Sequence, residues 1–223
     1  MKQLFGLGLL AAVFSTPLAA SAAPVNWSDW NGHGGSLVQN GKTIEVTYTG
    51  AARVAGGDYF TGYPGAYVSD EVSNGPGSNG FLQLSGGQGA LQHHIHFSSA
   101  VVNPYVAFLS LGASNNSATF TFQDVDSISL ISQGRGSWGN GELTVTGNTV
   151  FGKEGNGVVR LNGTFTDLYF TTPVYENWYG ATFGAAAVAA VPEPGTWGML
   201  LAGGGVLALV GRRRANRKFT QPA

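Results

Sequence analysis

The stretch "TIEVTYT", Thr43 to Thr49, alternates apolar and polar side chains without a break. In an extended chain successive side chains point to opposite sides, so Ile44, Val46 and Tyr48 share one face and Glu45, Thr47 and Thr49 the other. This is the pattern of a strand with one buried and one wet face; a helix would repeat its apolar residues every three or four positions. Asn40-Gly41, just before it, is a hairpin signal, because both residue types tolerate positive φ. Asn162-Gly163, between "VVRL" and "TFTDLYF", repeats the device and predicts a second tight hairpin.

The same period of two runs through "ATFTF" (118–122), "SISLI" (127–131) and "ELTVTG" (142–147). Tyr105 to Leu111 is apolar on both faces and reads as a central strand. No amphipathic helix stands out in the body. The chain has 35 glycines, which cluster between these runs without a three-residue period, so they punctuate turns. Many short strands joined by Gly, Asn and Asp turns predict an all-β fold, an antiparallel β-sandwich of jelly-roll type.

The 223 residues contain no cysteine, which removes disulfides and thiolate sites together. The body must therefore stand on its core, and residues 23–190 are enough for one domain. Both ends read differently. Lys2, the apolar Leu4 to Phe14, the break at Pro17 and the small-residue run "LAASAAP" have the layout of a secretory signal peptide. Cleavage is expected between Ala22 and Ala23, making residues 1–22 a signal helix handled by the Sec export machinery and signal peptidase.

At the other end, Pro192 and Pro194 bracket Glu193 in a stiff, extended Val191 to Pro194. Gly195 to Gly211 is an uncharged run of 17 residues, short but sufficient for a single transmembrane helix. Arg212, Arg213 and Arg214 then stop the span on the cytoplasmic side of the inner membrane and leave the body outside. The basic tail runs over 212–218, and 219–223 complete the chain.

Val191-Pro192-Glu193-Pro194, a short apolar span and an Arg-rich end, in that order after a signal peptide, resemble the PEP-CTERM sorting signal of exported proteins in Gram-negative bacteria. The resemblance implies that Pro192, Glu193 and Pro194 are recognised by an exosortase, a membrane-embedded transpeptidase-like enzyme that processes the tail. It also implies delivery to the cell envelope or beyond, in bacteria that make exopolysaccharide and biofilm. Gly134 to Gly184 is similar to the C-terminal half of ectodomains carried by such proteins. The markers are Trp138-Gly139, Glu154-Gly155, Asn162-Gly163 and Glu176 to Gly180, with Asn103 to Gly112 of the same flavour.

Charge narrows the partners further. Residues 23–194 hold five of the eleven Lys and Arg but all twelve Asp and Glu, a net charge of −7. Such a body does not suit nucleic acid, which needs clustered cations. "GPGSNG" (75–80) and "GRGSWG" (134–139) match GxGxxG but precede strand-like segments, where a dinucleotide needs a helix N-terminus. No motif calls for a cofactor.

"QHHIHF" places His94 and His96 on one strand face, a weak metal candidate that lacks a third ligand in the local sequence and reads as a solvated pair. Asp124 and Asp126 could meet calcium, yet "QDVDSIS" has no glycine bend and reads as a turn. There is no GxSxG elbow. Asp58, Asp70, Glu71, Glu142, Glu154 and Glu176 could supply a glycosidase pair, with nothing to select two of them. Aromatic residues beside glycines, namely Tyr59, Tyr63, Tyr67, Trp138, Trp178 and Tyr179, could stack on sugar rings or plug the sandwich core. The sequence thus favours a non-enzymatic exported surface protein, with a carbohydrate-binding module and a secreted polysaccharide hydrolase as alternatives.

Overall fold

The computed structural model describes residues 22–89 and 91–187. Residues 1–21 of the expected signal peptide 1–22, the Val191 to Pro194 motif, the expected span 195–211 and the tail 212–223 lie outside the described residues. Among the described residues no helix is long and apolar enough to cross a membrane.

The chain forms β1 (Val25–Trp27), β2 (Asp29–Asn31), β3 (Gly34–Gln39), β4 (Lys42–Thr49) and β5 (Arg53–Ala55). A long loop with one 3-10 turn, Pro64–Ala66, leads to β6 (Phe81–Leu84), β7 (Gln92–Val102), β8 (Tyr105–Leu111), β9 (Ala118–Phe122) and β10 (Ser127–Gln133). Then follow β11 (Leu143–Thr146), β12 (Thr149–Gly152), β13 (Gly155–Asn162), β14 (Thr164–Thr171) and β15 (Tyr179–Ala186). They make two antiparallel sheets. The first has the order β10-β13-β8-β15-β6-β5 with β1 also on β15; the second runs β11-β12-β9-β14-β7-β4-β3-β2.

The alternation of β4 is realised as expected: Ile44, Val46 and Tyr48 are buried while Glu45, Thr47 and Thr49 are exposed. Asn40 and Gly41 both take positive φ, 53° and 71°, and close the β3–β4 hairpin with Gln39 opposite Lys42. The inner faces of the sheets meet in an aromatic-rich core that includes Phe97, Phe120, Phe122 and Phe170 of the second sheet and Phe108 and Phe183 of the first. Each buried phenylalanine contributes roughly 2 kcal/mol of burial free energy.

Asn162-Gly163 does not make the hairpin expected of it. β13 pairs with β10 and β8 in the first sheet, whereas β14 pairs with β7 and β9 in the second. The dipeptide is a corner where the chain changes sheets: Asn162 is still in ladder with Ser127, and Gly163 swings the backbone at φ 134°.

All seven residues of β8 are buried, because the first sheet is covered on both faces. Its outer face carries a second core in which the β5–β6 loop contributes Phe60, Tyr67 and Val72 against Tyr105, Ala107 and Leu109. Polar contacts pin this loop. Glu71 pairs with Arg160 and accepts from Tyr105 Oη at 2.7 Å, and Ser132 Oγ donates to the carbonyl of Ala66 at 2.8 Å. The loop therefore holds a fixed course, and Tyr59 arrives with it at one end of the sandwich.

Candidate functional site

At that end lie the last residues of β8, the turn into β13, the start of β15 and the β10–β11 loop. They enclose a cleft of about 380 Å³ lined by Tyr59, Ser110, Trp138, Glu154, Trp178 and the Glu176-Asn177 pair. Loops set on a packed sheet end are a usual place for binding groups, since the scaffold positions them while their side chains stay accessible.

The floor of the cleft is a break in the β8–β13 ladder. Register shifts between Gly155 and Gly157, and Ser110 and Glu154 take left-handed backbone at φ 52° and 59°. For residues with a Cβ this conformation costs on the order of 1–3 kcal/mol each and persists only where neighbours enforce it. Here the enforcing group is Asn156, 0% exposed. Its Oδ1 accepts the Ser110 N–H at 2.8 Å and its Nδ2 donates to the Glu154 carbonyl at 2.9 Å. The bulge turns the Ser110 hydroxyl onto Glu154 Oε2 at 2.8 Å.

Glu176 enters from the β14–β15 loop and accepts the Gly112 N–H at 3.1 Å. Burial pushes its carboxyl up from the ordinary 4.5 to about 7; the bonds from the Trp178 and Gly112 backbones oppose this, and the charge of Glu154 adds to it. A carboxyl raised in this way can both donate and accept hydrogen bonds to a ligand near neutral pH.

Three aromatic rings form the wall. Trp138 and Trp178 have centroids 4.5 Å apart, Tyr59 and Trp138 4.7 Å, and Tyr59 and Trp178 5.7 Å. Trp178 and Tyr59 stand edge-on to buried Phe81, while Trp138 is 48% exposed and presents its ring to solvent.

The other aromatic candidates are placed elsewhere. Tyr67 and Tyr179 are 0% exposed in the two cores, so stacking on a ligand is closed to them. Tyr63 lies under the guanidinium of Arg135 at 5.3 Å and does not line the cleft. Among the acidic candidates, Glu71 is engaged by Arg160 and Glu142 lies in a separate depression with Lys153. Asp124 sits in the β9–β10 turn at φ 53°. Both GxGxxG matches lead into strands.

His94 and His96 lie on the outward face of β7, and Asp167 of β14 stands between their ring nitrogens at 2.8 and 2.9 Å. These two bonds hold the Asp167 carboxyl down at about 2. The sequence offers one clue to this partner: Asp167 is the lone charge in "TFTDLYF". Ser110 and Asn156 carry no comparable signal, because their roles depend on a bulge between strands distant in sequence. Ala23, at the expected cleavage point, forms a bridge with Val72, its N–H donating to the Glu71 carbonyl at 3.0 Å.

Comparison with known proteins bears on the tail. Residues 190–214 match the family model described as the PEP-CTERM protein-sorting motif, a segment that takes in Val191 to Pro194, the apolar span and the three arginines. No curated protein and no solved structure matches the chain. The chain therefore carries the PEP-CTERM sorting motif of an exported protein addressed to an exosortase and anchored at its C-terminus in the membrane before processing.

Proposed function

We propose that this chain is a cell-surface or extracellular-matrix protein of a Gram-negative bacterium whose ectodomain binds carbohydrate in the Tyr59–Trp138–Trp178 cleft without acting on it chemically. Sec export and signal peptidase release the body beginning at Ala23, and the exosortase later processes the tail at Val191 to Pro194. The observation that carries the binding reading is the aromatic wall beside two carboxyls and Asn177. Flat ring faces stack on the C–H faces of sugars, while Glu154, Glu176 and Asn177 bond hydroxyls. With a net charge of −7 in the body, the ligand is a neutral or amino-bearing exopolysaccharide, since an acidic one is repelled. Such binding would tie the protein to the biofilm matrix.

The strand order supports a jelly-roll reading of the sandwich. β6-β15-β8-β13 faces β7-β14-β9-β12, and the chain from β6 to β9 and from β12 to β15 alternates between the sheets in the sense of two Greek keys. β2 to β5 and the β10–β11 excursion extend the edges, and β1 adds to the far end of β15.

Pull-down of the full chain, purified in detergent, on neutral, amino and acidic polysaccharides tests the function. Retention on the first two, lost in W138A and W178A, is expected; no retention on any matrix refutes a glycan role and leaves a purely structural surface protein.

One observation favours a second reading, a polysaccharide hydrolase. A carboxyl held up at about 7 beside a second carboxyl is the arrangement of a general acid with its partner. Release of reducing ends by the wild type, abolished in both E176Q and E154Q, would establish it.

A further inference from the structure

We propose that His94, His96 and Asp167 form a binding site for a divalent first-row transition ion, zinc being the expected occupant. The site lies on the wet face of the second sheet, away from the cleft, and is independent of carbohydrate binding.

The ligands come from two neighbouring strands in fixed register. Alternation on β7 sends His94 and His96 outward, and the β7–β14 ladder sets His96 opposite Asp167 and His94 opposite Tyr169. A register shift just beyond, between Phe165 and Asp167, locally re-aims the β14 side chains. β7 lies between β14 and β4, so its backbone is held on both sides.

One ring nitrogen each of His94 and His96 and an oxygen of Asp167 lie within 4.8 Å of one another, and His94 Nε2 and His96 Nδ1 address the same oxygen, at 2.8 and 2.9 Å. Zinc binds imidazole nitrogen and carboxylate oxygen at about 2.0–2.2 Å, so tetrahedral ligands stand about 3.4 Å apart. The two nitrogen–oxygen separations widen by about half an ångström to admit the ion.

Tyr169 supports the geometry from the side. Its ring stacks on His94 at 4.4 Å with planes 10° apart, fixing the imidazole so that Nε2 faces Asp167. In the hydrogen-bonded form the facing nitrogens carry the hydrogens. Metal binding requires them bare, with the ring hydrogen on the opposite nitrogen, Nδ1 of His94 and Nε2 of His96.

Two imidazoles and one carboxylate select the borderline ions zinc, copper and nickel over calcium and magnesium, which prefer all-oxygen shells. The side chains are 29%, 49% and 37% exposed for His94, His96 and Asp167, leaving the remaining coordination positions open to water or to a donor from another molecule.

The test is equilibrium dialysis of the untagged full chain in detergent against zinc, with metal counted by mass spectrometry and calcium as the comparison ion. One zinc per chain, unaffected by excess calcium, is expected. H94A, H96A and D167N should each weaken binding on the order of tenfold or more, while circular dichroism and the melting temperature of the metal-free variants stay at wild-type values. Cobalt should give visible absorption bands in the wild type and lose them in H96A. No zinc above a chelator-treated blank, or equal zinc in wild type and all three variants, overturns the site.

Discussion

The hydroxyl of Tyr48 donates to Nδ1 of His93 across 2.7 Å, and the two residues are 4% and 3% exposed. The direction follows from the neighbours. The Ala52 N–H donates to Tyr48 Oη at 2.8 Å, which leaves the hydroxyl hydrogen for His93, and Nε2–H of His93 then faces Thr172 Oγ1 at 3.1 Å. His93 is neutral, and burial pushes it down from 6.5 to about 4.

Between those two values the unfolded chain takes up a proton at His93 that the folded chain refuses. The stability associated with the neutral ring is thus complete above pH 6.5 and lost as pH falls through 4, a loss of about 3 kcal/mol. Urea unfolding at pH 7, 5.5 and 4 should show this slope in the wild type. In H93Q, less stable at pH 7, the slope should be shallower by that amount; parallel pH profiles for the two chains would exclude the mechanism.

Glu176 acts in the opposite sense. Its folded pKa of about 7 exceeds the ordinary 4.5, so the folded chain keeps a proton that the unfolded chain has released. Stability from this group is full below 4.5 and declines as pH rises through 7. Glu176→Gln removes the ionisation while keeping an oxygen for the Gly112 N–H. The variant should match wild type at pH 4 and exceed it at pH 8 by ~1 kcal/mol, the carboxyl being only part-buried and solvent-screened. Calorimetric melting at the two pH values reads the difference.

The parts of this fold legible in sequence are those whose cause is local. Ile44, Val46 and Tyr48 declare their face because alternation within one strand is enough, and Asn40-Gly41 declares a turn because both residues adopt positive φ. Asn162-Gly163 has the same chemistry but a different use, since dipeptide conformation does not say which sheet receives the next strand. Tyr67 and Tyr179 resemble Tyr59 in sequence, flanked by glycine and other aromatics. What separates them is the core each one enters, Tyr67 on the outer face of the first sheet and Tyr179 in the core between the sheets, a tertiary fact. The Asp167 contact joins strands 71 residues apart at His96, and the cleft needs a bulge to bring Ser110 onto Glu154.

The tail makes its own prediction. Pro192 and Pro194 lack backbone donors and disfavour helix at the residue before each, from which the sequence predicts a stiff substrate for processing. Replacing Pro192, Glu193 and Pro194 together by alanine removes both the rigidity and the one carboxylate. The expected result is an exported chain of unprocessed mass that stays in the membrane fraction, with the wild type shifted to smaller mass. Mass spectrometry of the fractionated cells decides it, and normal processing of the triple variant would exclude the motif as the recognition element.

Gly112 links the fold to the cleft most directly. It leaves β8 at φ 79°, gives its N–H to Glu176, and a Cβ placed on it would overlap the carbonyl oxygen of Gly152. That obstacle is backbone at the end of β12, which cannot rotate aside. Gly112→Ala should therefore cost both the left-handed strain and the displacement of β12 from β8, roughly 2–4 kcal/mol in total. Gly147→Ala supplies the comparison, for its φ of 58° imposes the same kind of strain with nothing within 4 Å of the new Cβ. It should cost only about 1 kcal/mol. Because the Gly112 N–H sets the position of the Glu176 carboxyl, Gly112→Ala should also weaken polysaccharide retention at a temperature where the variant is still folded. Gly147→Ala should leave retention unchanged. Equal destabilisation of the two variants by urea unfolding would show that the Gly112–Gly152 approach is not the constraint.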